Sequence, residues 1–264
     1  MSYNKGECVR GLVSIITPSY NSEKYIAETI NSVLNQTYEN WEMLIVDDCS
    51  SDGTEKIVKS YYDDRIKFFK NPKNSGAAYS RNFALKQAQG EWIAFLDSDD
   101  LWKKDKLQHQ LEFMMKNDYK FTCTARDEID ENSEQTGIYN TSPKHINKIG
   151  MYLYCWVGCL TVMYHVPTVG LIQIANLKKN NDYAMWLKVI KKTDCFFLNE
   201  NLASYRVRSE SISHDRFMKL VKAHYDLFRY GENLNPVFSF FMMCVNLVFG
   251  AYKKNVYSKR KRIE

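Results

Sequence analysis

Within the first hundred residues, short β-rich runs alternate with segments of helical periodicity, and this alternation constrains the fold more than any other feature of the chain. Leu12 to Thr17 is a β-rich run. Asn21 or Ser22 can cap a helix whose apolar positions Ile26, Ile30, Val33 and Leu34 follow helical spacing. Met43 to Val46 reads as a second strand, Thr54 to Tyr62 as a helix with Ile57, Val58 and Tyr61 on one face, and Ile66 to Phe69 as a third strand. Ala77 to Ala88 is helical with Gly90 as a stop signal, and Trp92 to Leu96 is a fourth strand. The order β-α-β-α-β-α-β predicts an α/β fold, a mostly parallel sheet with helices on both faces. Such sheets bind ligands at the carboxyl ends of their strands, so function is to be sought just after Thr17, Val46 and Leu96.

The second half continues the same domain without a repeat or a low-complexity linker. Lys106 to Lys116 is a helix with Leu107, Leu111, Met114 and Met115 facing inward; Phe121 to Ala125 is a strand. Residues 127 to 149 look polar and irregular, Gly158 to Tyr164 β-rich, and Tyr183 to Lys191 helical. A chain of 264 residues with 45% hydrophobic residues can bury one sizeable core. Its 25% charged residues exclude a disordered chain or a polytopic membrane protein, and a net charge of +5 suits anionic ligands or an anionic surface. Seven cysteines, an odd number without zinc or disulfide spacing, read as reduced thiols. Met1 to Arg10 lacks the apolar core of a signal peptide. From Asn233 to Tyr252 there is no charged residue, and Lys253 to Arg262 then carries six basic ones. Three readings stay open for this stretch: an interfacial membrane helix, a core helix with a solvated tail, or a membrane span.

Three acidic groups fall where ligands are expected. Asp47-Asp48 follows the second strand; a carboxylate there either accepts from a nucleobase or ribose, or caps the turn at Cys49-Ser50-Ser51-Asp52-Gly53. Asp97-Ser98-Asp99-Asp100 follows the fourth strand. Three carboxylates within four residues repel one another unless a cation is present, and hard oxygen donors suit Mg²⁺ or Mn²⁺ shared with phosphates; the alternative is a helix cap. Asp182, in Asn180-Asn181-Asp182-Tyr183, opens a helix and by itself reads as a cap. Arg81, Arg206 and Arg208 can face a diphosphate, or any single one can be a surface arginine. No Gly-x-Gly-x-x-Gly, no Gly-rich segment ending in Lys-Ser or Lys-Thr and no Gly-x-Ser-x-Gly occurs, which argues against a dehydrogenase, a P-loop enzyme and a serine hydrolase of that type. No basic-aromatic stripe points to nucleic acid.

Taken together, Val13-Ser14-Ile15-Ile16-Thr17-Pro18-Ser19-Tyr20-Asn21, Ser32 to Thr37, Ile45-Val46-Asp47-Asp48 through Thr54, Asn74-Ser75-Gly76 with Ser80-Arg81-Asn82, and Phe95-Leu96-Asp97-Ser98-Asp99-Asp100 resemble the opening of family 2 glycosyltransferases of the GT-A fold. The likeness is close over residues 12 to 107. It continues more loosely to about residue 214 through Gly158 to Met163, Asn181 to Leu187 and Tyr205 to Ser213, blocks that look like bacterial enzymes building capsule, teichuronic acid or related cell-wall polysaccharides.

The resemblance implies that Pro18 and Tyr20 flank the nucleobase, that Asp48 binds uracil, and that Arg81 lies near the nucleotide. It implies that Asp97-Ser98-Asp99 is the family's Asp-x-Asp, holding Mn²⁺ or Mg²⁺ and the donor diphosphate with help from Asp100, and that Asp182 is the catalytic base, in a pair reading Asn181-Asp182. A late histidine, His214, is either an exposed loop residue or a metal or diphosphate contact. The implied activity is single-displacement, inverting transfer from a UDP-sugar to a glycan or lipid-linked hydroxyl, by an enzyme peripheral on the cytoplasmic face of the membrane. Residues 1–107 would form the nucleotide-sugar half, 108–215 the acceptor half and 216–264 a helical, basic, membrane-associating segment. The competing readings are a non-catalytic nucleotide-sugar-binding scaffold, which the retained Asp97, Asp99 and Asp182 oppose, and a nucleotidyltransferase, which would need a Gly-rich basic loop after the first strand.

Overall fold

The computed structural model describes residues 8–175, 177–208 and 216–260. Strands β1 (Val9–Ser19), β2 (Trp41–Asp47), β3 (Ile66–Lys70) and β4 (Gly90–Phe95) lie side by side in the order β3-β2-β1-β4, all parallel. The chain moves outward from β1 to β2 and β3, then returns to the other side of β1. That reversal leaves a crevice at the carboxyl ends of β1 and β4. Burial alternates along each strand. Val13, Ile15, Met43, Ile45, Trp92 and Ala94 pack on one face with helices α1 (Ile26–Leu34) and α2 (Thr54–Val58); Ile16, Leu44, Val46, Ile93 and Phe95 pack on the other with α3 (Ala77–Gln87). Both faces are therefore apolar, as a doubly covered parallel sheet requires.

Several local expectations shift. Neither Asn21 nor Ser22 caps α1, which begins at Ile26; the Ser22 hydroxyl instead meets that of Ser98 at 2.7 Å, and the Ser22 carbonyl accepts the amides of Tyr25 and Ile26. The helix expected over Thr54 to Tyr62 ends at Val58, although Tyr61 still packs on the same core. Gly90 opens β4 rather than stopping a helix. A Cβ there would lie 2.6 Å from the Leu12 carbonyl, so the close approach of β1 and β4 excludes a side chain.

Past β4 come β5 (Leu101–Trp102), α4 (Lys106–Asn117), β6 (Phe121–Ile129), β7 (Gln135–Asn140), β8 (His145–Ile146), α5 (Lys148–Leu153), a 3₁₀ turn (Cys159–Thr161), β9 (Met163–His165), α6 (Val166–Val169), α7 (Asn181–Val189) and β10 (Cys195–Arg206). The sheet runs on from β4 through β9, β6 and β7, with β9 antiparallel to β4 and β6, and with β10 parallel to β6. Residues 127 to 149, expected to be irregular, thus hold the end of β6 and all of β7 and β8; these strands are half-exposed, so their polar residues hide the period-two signal. The β-rich run at Gly158 splits into the 3₁₀ turn and β9. Met115 faces solvent, while Leu107, Leu111 and Met114 are buried.

Lys106 opens α4 fully buried, its Nζ 3.8 Å from the Trp102 ring centroid and without a hydrogen-bond partner among the described residues. Burial pushes its ammonium well below the usual lysine value of 10.5. The folded state then binds fewer protons than the unfolded one, so Lys106 lowers stability at neutral pH, and stability rises as pH climbs from the folded value towards the usual one. Lys106→Met is expected to raise stability by about 1–2 kcal/mol and to flatten that alkaline rise, measured as urea midpoints at pH 7 and pH 9. A less stable variant would show that the Trp102 contact outweighs desolvation.

The C-terminal segment comprises α8 (Arg216–Asp226), a π-helical turn (Leu227–Gly231), α9 (Pro236–Val256) and β11 (Ser258–Arg260), which joins the sheet antiparallel to β7. By length and composition α9 could cross a membrane. Its faces are distributed in reverse for a helix covering a core. Ser239, Met242, Met243 and Asn246 point inward, whereas Val237, Phe238, Phe240, Phe241 and Val248 are exposed. Asn246 donates to the carbonyls of Tyr152 and Leu153, Lys253 Nζ donates to that of Cys155 at 2.7 Å, and Phe249, Tyr252 and Tyr257 ring Trp156.

Candidate active site

The crevice at the reversal point holds a cavity of about 180 Å³ lined by Pro18, Ser19, Tyr20, Asp48, Ala77, Ser80, Arg81, Asp97 and Asp99. Six of the eleven sequence-predicted site residues meet there, coming from the ends of β1, β2 and β4 and the start of α3. Parallel strands carry their C-terminal residues to one edge, and that topology brings positions 18 to 99 into one place.

Arg81 is the organising side chain. It is buried on α3, donates from one guanidinium nitrogen to Asp97 at 2.5 Å and from the other to the Asn181 side-chain oxygen at 2.8 Å. Burial opposes its charge, but Asp97 and, further off, Asp182 raise its pKa above the ordinary arginine value, so the cation is fixed. Through this fork Arg81 ties the metal-type acid at 97 to the first residue of α7. Asp182 is the second residue of α7 and half-buried; its carboxylate accepts the Tyr183 amide at 2.8 Å but makes no N-cap bond. The cap reading of Asp182 therefore fails, since Asn180 occupies the cap position in a left-handed conformation.

Asp99 pairs with Arg208 at 2.5 Å. Burial and the neighbouring Asp97 raise the Asp99 pKa, and Arg208 only partly opposes this. Two carboxylates that repel across a crevice, each held by an arginine, are a donor set for a divalent cation shared with phosphate oxygens. Asp97 and Asp99 fit that role. Asp100 does not: it is turned into the core, where it accepts the Arg206 amide at 2.9 Å, and burial together with Asp99 and Asp97 pushes its pKa well above the ordinary range. Ser98 does not line the cavity either, being paired with Ser22.

Arg206 also departs from expectation. Its side chain has no exposed surface; it donates to the carbonyls of Asp99 and Asp130, to the Ser133 hydroxyl and to Glu28 at 2.9 Å, and lies over the Tyr25 ring. Along β10 side chains alternate, so Arg206 enters the core while its neighbours Tyr205 and Val207 are exposed. It buttresses the acidic loop and cannot reach a ligand. Asp48 lines the cavity, yet both its oxygens are engaged by Asn71, by the amide of Ser75 and by that of Gly76. In this arrangement it anchors the loop at 71–76, whose turn uses Gly76 at φ 88°. His214 lies outside the described residues. All seven cysteines are free thiols; burial, then Asp182, pushes Cys155 up to about 12, and burial raises Cys159 well above the ordinary thiol value, so neither is a nucleophile near neutrality.

The profile of glycosyl transferase family 2 matches residues 14–161, more than half the chain and all of the cavity lining. The chain belongs to glycosyl transferase family 2. It is 41% identical over 252 residues to the putative teichuronic acid biosynthesis glycosyltransferase TuaG of Bacillus subtilis (strain 168), which spans 94% of this chain and 97% of that one. It is 38% identical to the UDP-Glc:alpha-D-GlcNAc-diphosphoundecaprenol beta-1,3-glucosyltransferase WfgD of Escherichia coli, over 92% of this chain and 94% of that one. Among solved structures it shares its fold with S. aureus TarS 1-349 in complex with UDP-GlcNAc, at a TM-score of 0.67 and 24% identity over 92% of this chain and 74% of that one. It likewise shares it with the mannosyltransferase PcManGT of Pyrobaculum calidifontis in complex with GDP-Man and Mn²⁺, at 0.64 and 16% over 91% of this chain and 75% of that one. The GT-A expectation holds, and the chain is a glycosyltransferase.

Some residues of this family 2 site escape the sequence. Asn71, which positions Asp48 and bonds the buried Ser80 hydroxyl at 2.9 Å, follows β3, a parallel strand with no acidic group at its carboxyl end. Ser22 and Ser98 pair across 76 residues, and Asn181 meets Arg81 across 100; no local signal announces either.

Proposed function

We propose that the protein transfers a sugar from a UDP-sugar to a hydroxyl of a lipid-linked glycan in one inverting displacement, with Asp182 as base. The observation that carries this is the Arg81 fork, which sets the α7 segment bearing Asp182 beside the Asp97–Asp99 crevice. Pro18 and Tyr20 would flank the base, with Asp48 holding the loop beneath it and Arg81 and Arg208 facing the diphosphate. Residues 1–107 then serve the donor and 108–215 the acceptor. Asp182 takes the acceptor hydroxyl proton as the oxygen forms its bond to the anomeric carbon from the face opposite the diphosphate; the bond to the diphosphate oxygen breaks, and UDP leaves with the electron pair. Asp97 and Asp99 would hold Mn²⁺ or Mg²⁺, which neutralises charge on the leaving diphosphate. Arg81 and Arg208, paired with Asp97 and Asp99, would turn to phosphates as those carboxylates turn to a cation.

Support for UDP comes from WfgD and from TarS with UDP-GlcNAc; support for a diphospholipid acceptor comes from WfgD. Support for a divalent cation comes from PcManGT. The test is thermal shift with UDP, GDP, dTDP and ADP, each with and without Mn²⁺. UDP at a hundredfold excess over Kd is expected to raise Tm by about 5 °C or more. The shift should be larger with Mn²⁺ than the two separate shifts combined, and Asp99→Ala should abolish the excess. No shift with any nucleotide would overturn the donor reading.

We propose also that α9 lies in the cytoplasmic interface of the membrane. Its exposed aromatic face and the basic residues beyond it suit that position. A span is incompatible with the packing of Ser239 and Asn246 against the domain and of β11 against β7. Deleting residues 233 to 264 would also remove this packing, so Val237→Ser/Phe240→Ser/Phe241→Ser is the cleaner test. Vesicle partitioning is expected to fall at least tenfold with Tm unchanged, since each buried apolar side chain contributes about 1.5–3 kcal/mol. Equal cosedimentation would remove the helix from the interface.

A further inference from the structure

A second cavity is larger than the crevice. A cleft of about 500 Å³ lies between the segment leading into α7 and helix α8. Lys178 and Lys179 stand on one wall and Lys219 and Lys222 on the other; Asp226 is the one acid in its lining, and Tyr230 closes one end. The two α8 lysines are three residues apart and so share a face. No carboxylate among the described residues forms an ion pair with Lys178, Lys179 or Lys222. Lys178, Lys179 and Lys222, around a concave space and without an ion-pair partner among the described residues, attract a compact multivalent anion.

We infer that this cleft binds the diphosphate of an amphiphilic acceptor, and so deepens the acceptor reading on which it rests. Two placements identify the ligand class. First, Lys179 precedes Asp182 by three residues, so their Cα atoms are at most about 11 Å apart. A sugar linked to a diphosphate in the cleft is within reach of the base. Second, beyond Tyr230 the chain passes into α9, whose Val237, Phe240 and Phe241 are exposed. A hydrocarbon tail leaving the cleft towards α9 would meet an apolar surface. A nucleotide has no tail, and a flat anionic bilayer does not fill a concavity, whereas a lipid diphosphate satisfies both the charge and the apolar surface.

The test uses the full chain and farnesyl diphosphate below its micellar concentration, without added metal. Farnesol, inorganic pyrophosphate and UDP are titrated on the same preparations. Wild type is expected to bind farnesyl diphosphate at least tenfold more tightly than farnesol, and UDP is not expected to displace it. Lys178→Gln/Lys179→Gln/Lys222→Gln should weaken farnesyl diphosphate at least tenfold and change UDP less than twofold. With the lipid-linked acceptor, KM should rise and kcat hold. The cleft assignment is overturned by farnesyl diphosphate binding that survives the three substitutions or that UDP displaces. It is also overturned if the substitutions release the protein only from phosphatidylglycerol vesicles, which makes the lysines a general membrane contact. Failure of the donor reading shows separately, as absent UDP binding in the wild type.

Discussion

Asp182→Asn is expected to reduce sugar transfer by about 10²–10⁴-fold while UDP binding, read by thermal shift, stays as in wild type. The amide keeps the size and the Tyr183 contact of the carboxylate but cannot take a proton from a hydroxyl. Because the substitution sits on α7 next to Asn181, it also leaves the Arg81 fork intact. A fall in transfer and in UDP affinity together would mean that Asp182 holds the donor pocket rather than the proton. Near-normal turnover would remove it from the mechanism and send attention back to the carboxylates of the crevice.

Arg206→Met should act on stability and leave chemistry alone. Removing the guanidinium leaves the carbonyls of Asp99 and Asp130 without donors and takes away the charged contact to Glu28. Hydrogen bonds to charged groups contribute about 1.5–3 kcal/mol each, and a buried methionine recovers part by packing, so a net loss of about 2–4 kcal/mol is expected. For a chain of this size that is a fall in Tm of roughly 5–15 °C. UDP affinity, measured well below the new Tm, should be nearly unchanged. The opposite pattern, unchanged Tm with lost UDP binding, would restore Arg206 to the diphosphate.

These two residues show where sequence reasoning works and where it stops. Strand-end acids at 48, 97 and 99 could be placed because parallel topology carries strand ends to one edge whatever the details of packing. Arg206 and Asp100 could not be separated from Arg208 and Asp99 in the same way. One residue of shift on a strand or loop exchanges inside for outside, and that phase is set by tertiary packing. Positions 127 to 149 illustrate a related loss, because half-exposed strands at a sheet margin carry no apolar alternation to read. The lysine cleft was invisible for a simpler reason. Its walls come from residues 178–179 and 219–222, which are each unremarkable as surface lysines until the fold sets them face to face.

The docking of α9 has a consequence for what the enzyme can elongate. The helix is fastened to the domain by Asn246 at its middle and by Lys253 and the β11–β7 pairing at its far end. Whatever surface its aromatic side rests on is therefore held at one height and one tilt from Asp182. With α9 in the interface and Asp182 as the base, as proposed, the molecule would act as a fixed gauge: a hydroxyl would be presented to the base only when it stands at that height above the lipid. Once a sugar is added, the new terminal hydroxyl would lie one ring farther out and no longer meet the gauge. A polysaccharide assembled by such enzymes would grow by a succession of differently set gauges, each adding its residue and letting go.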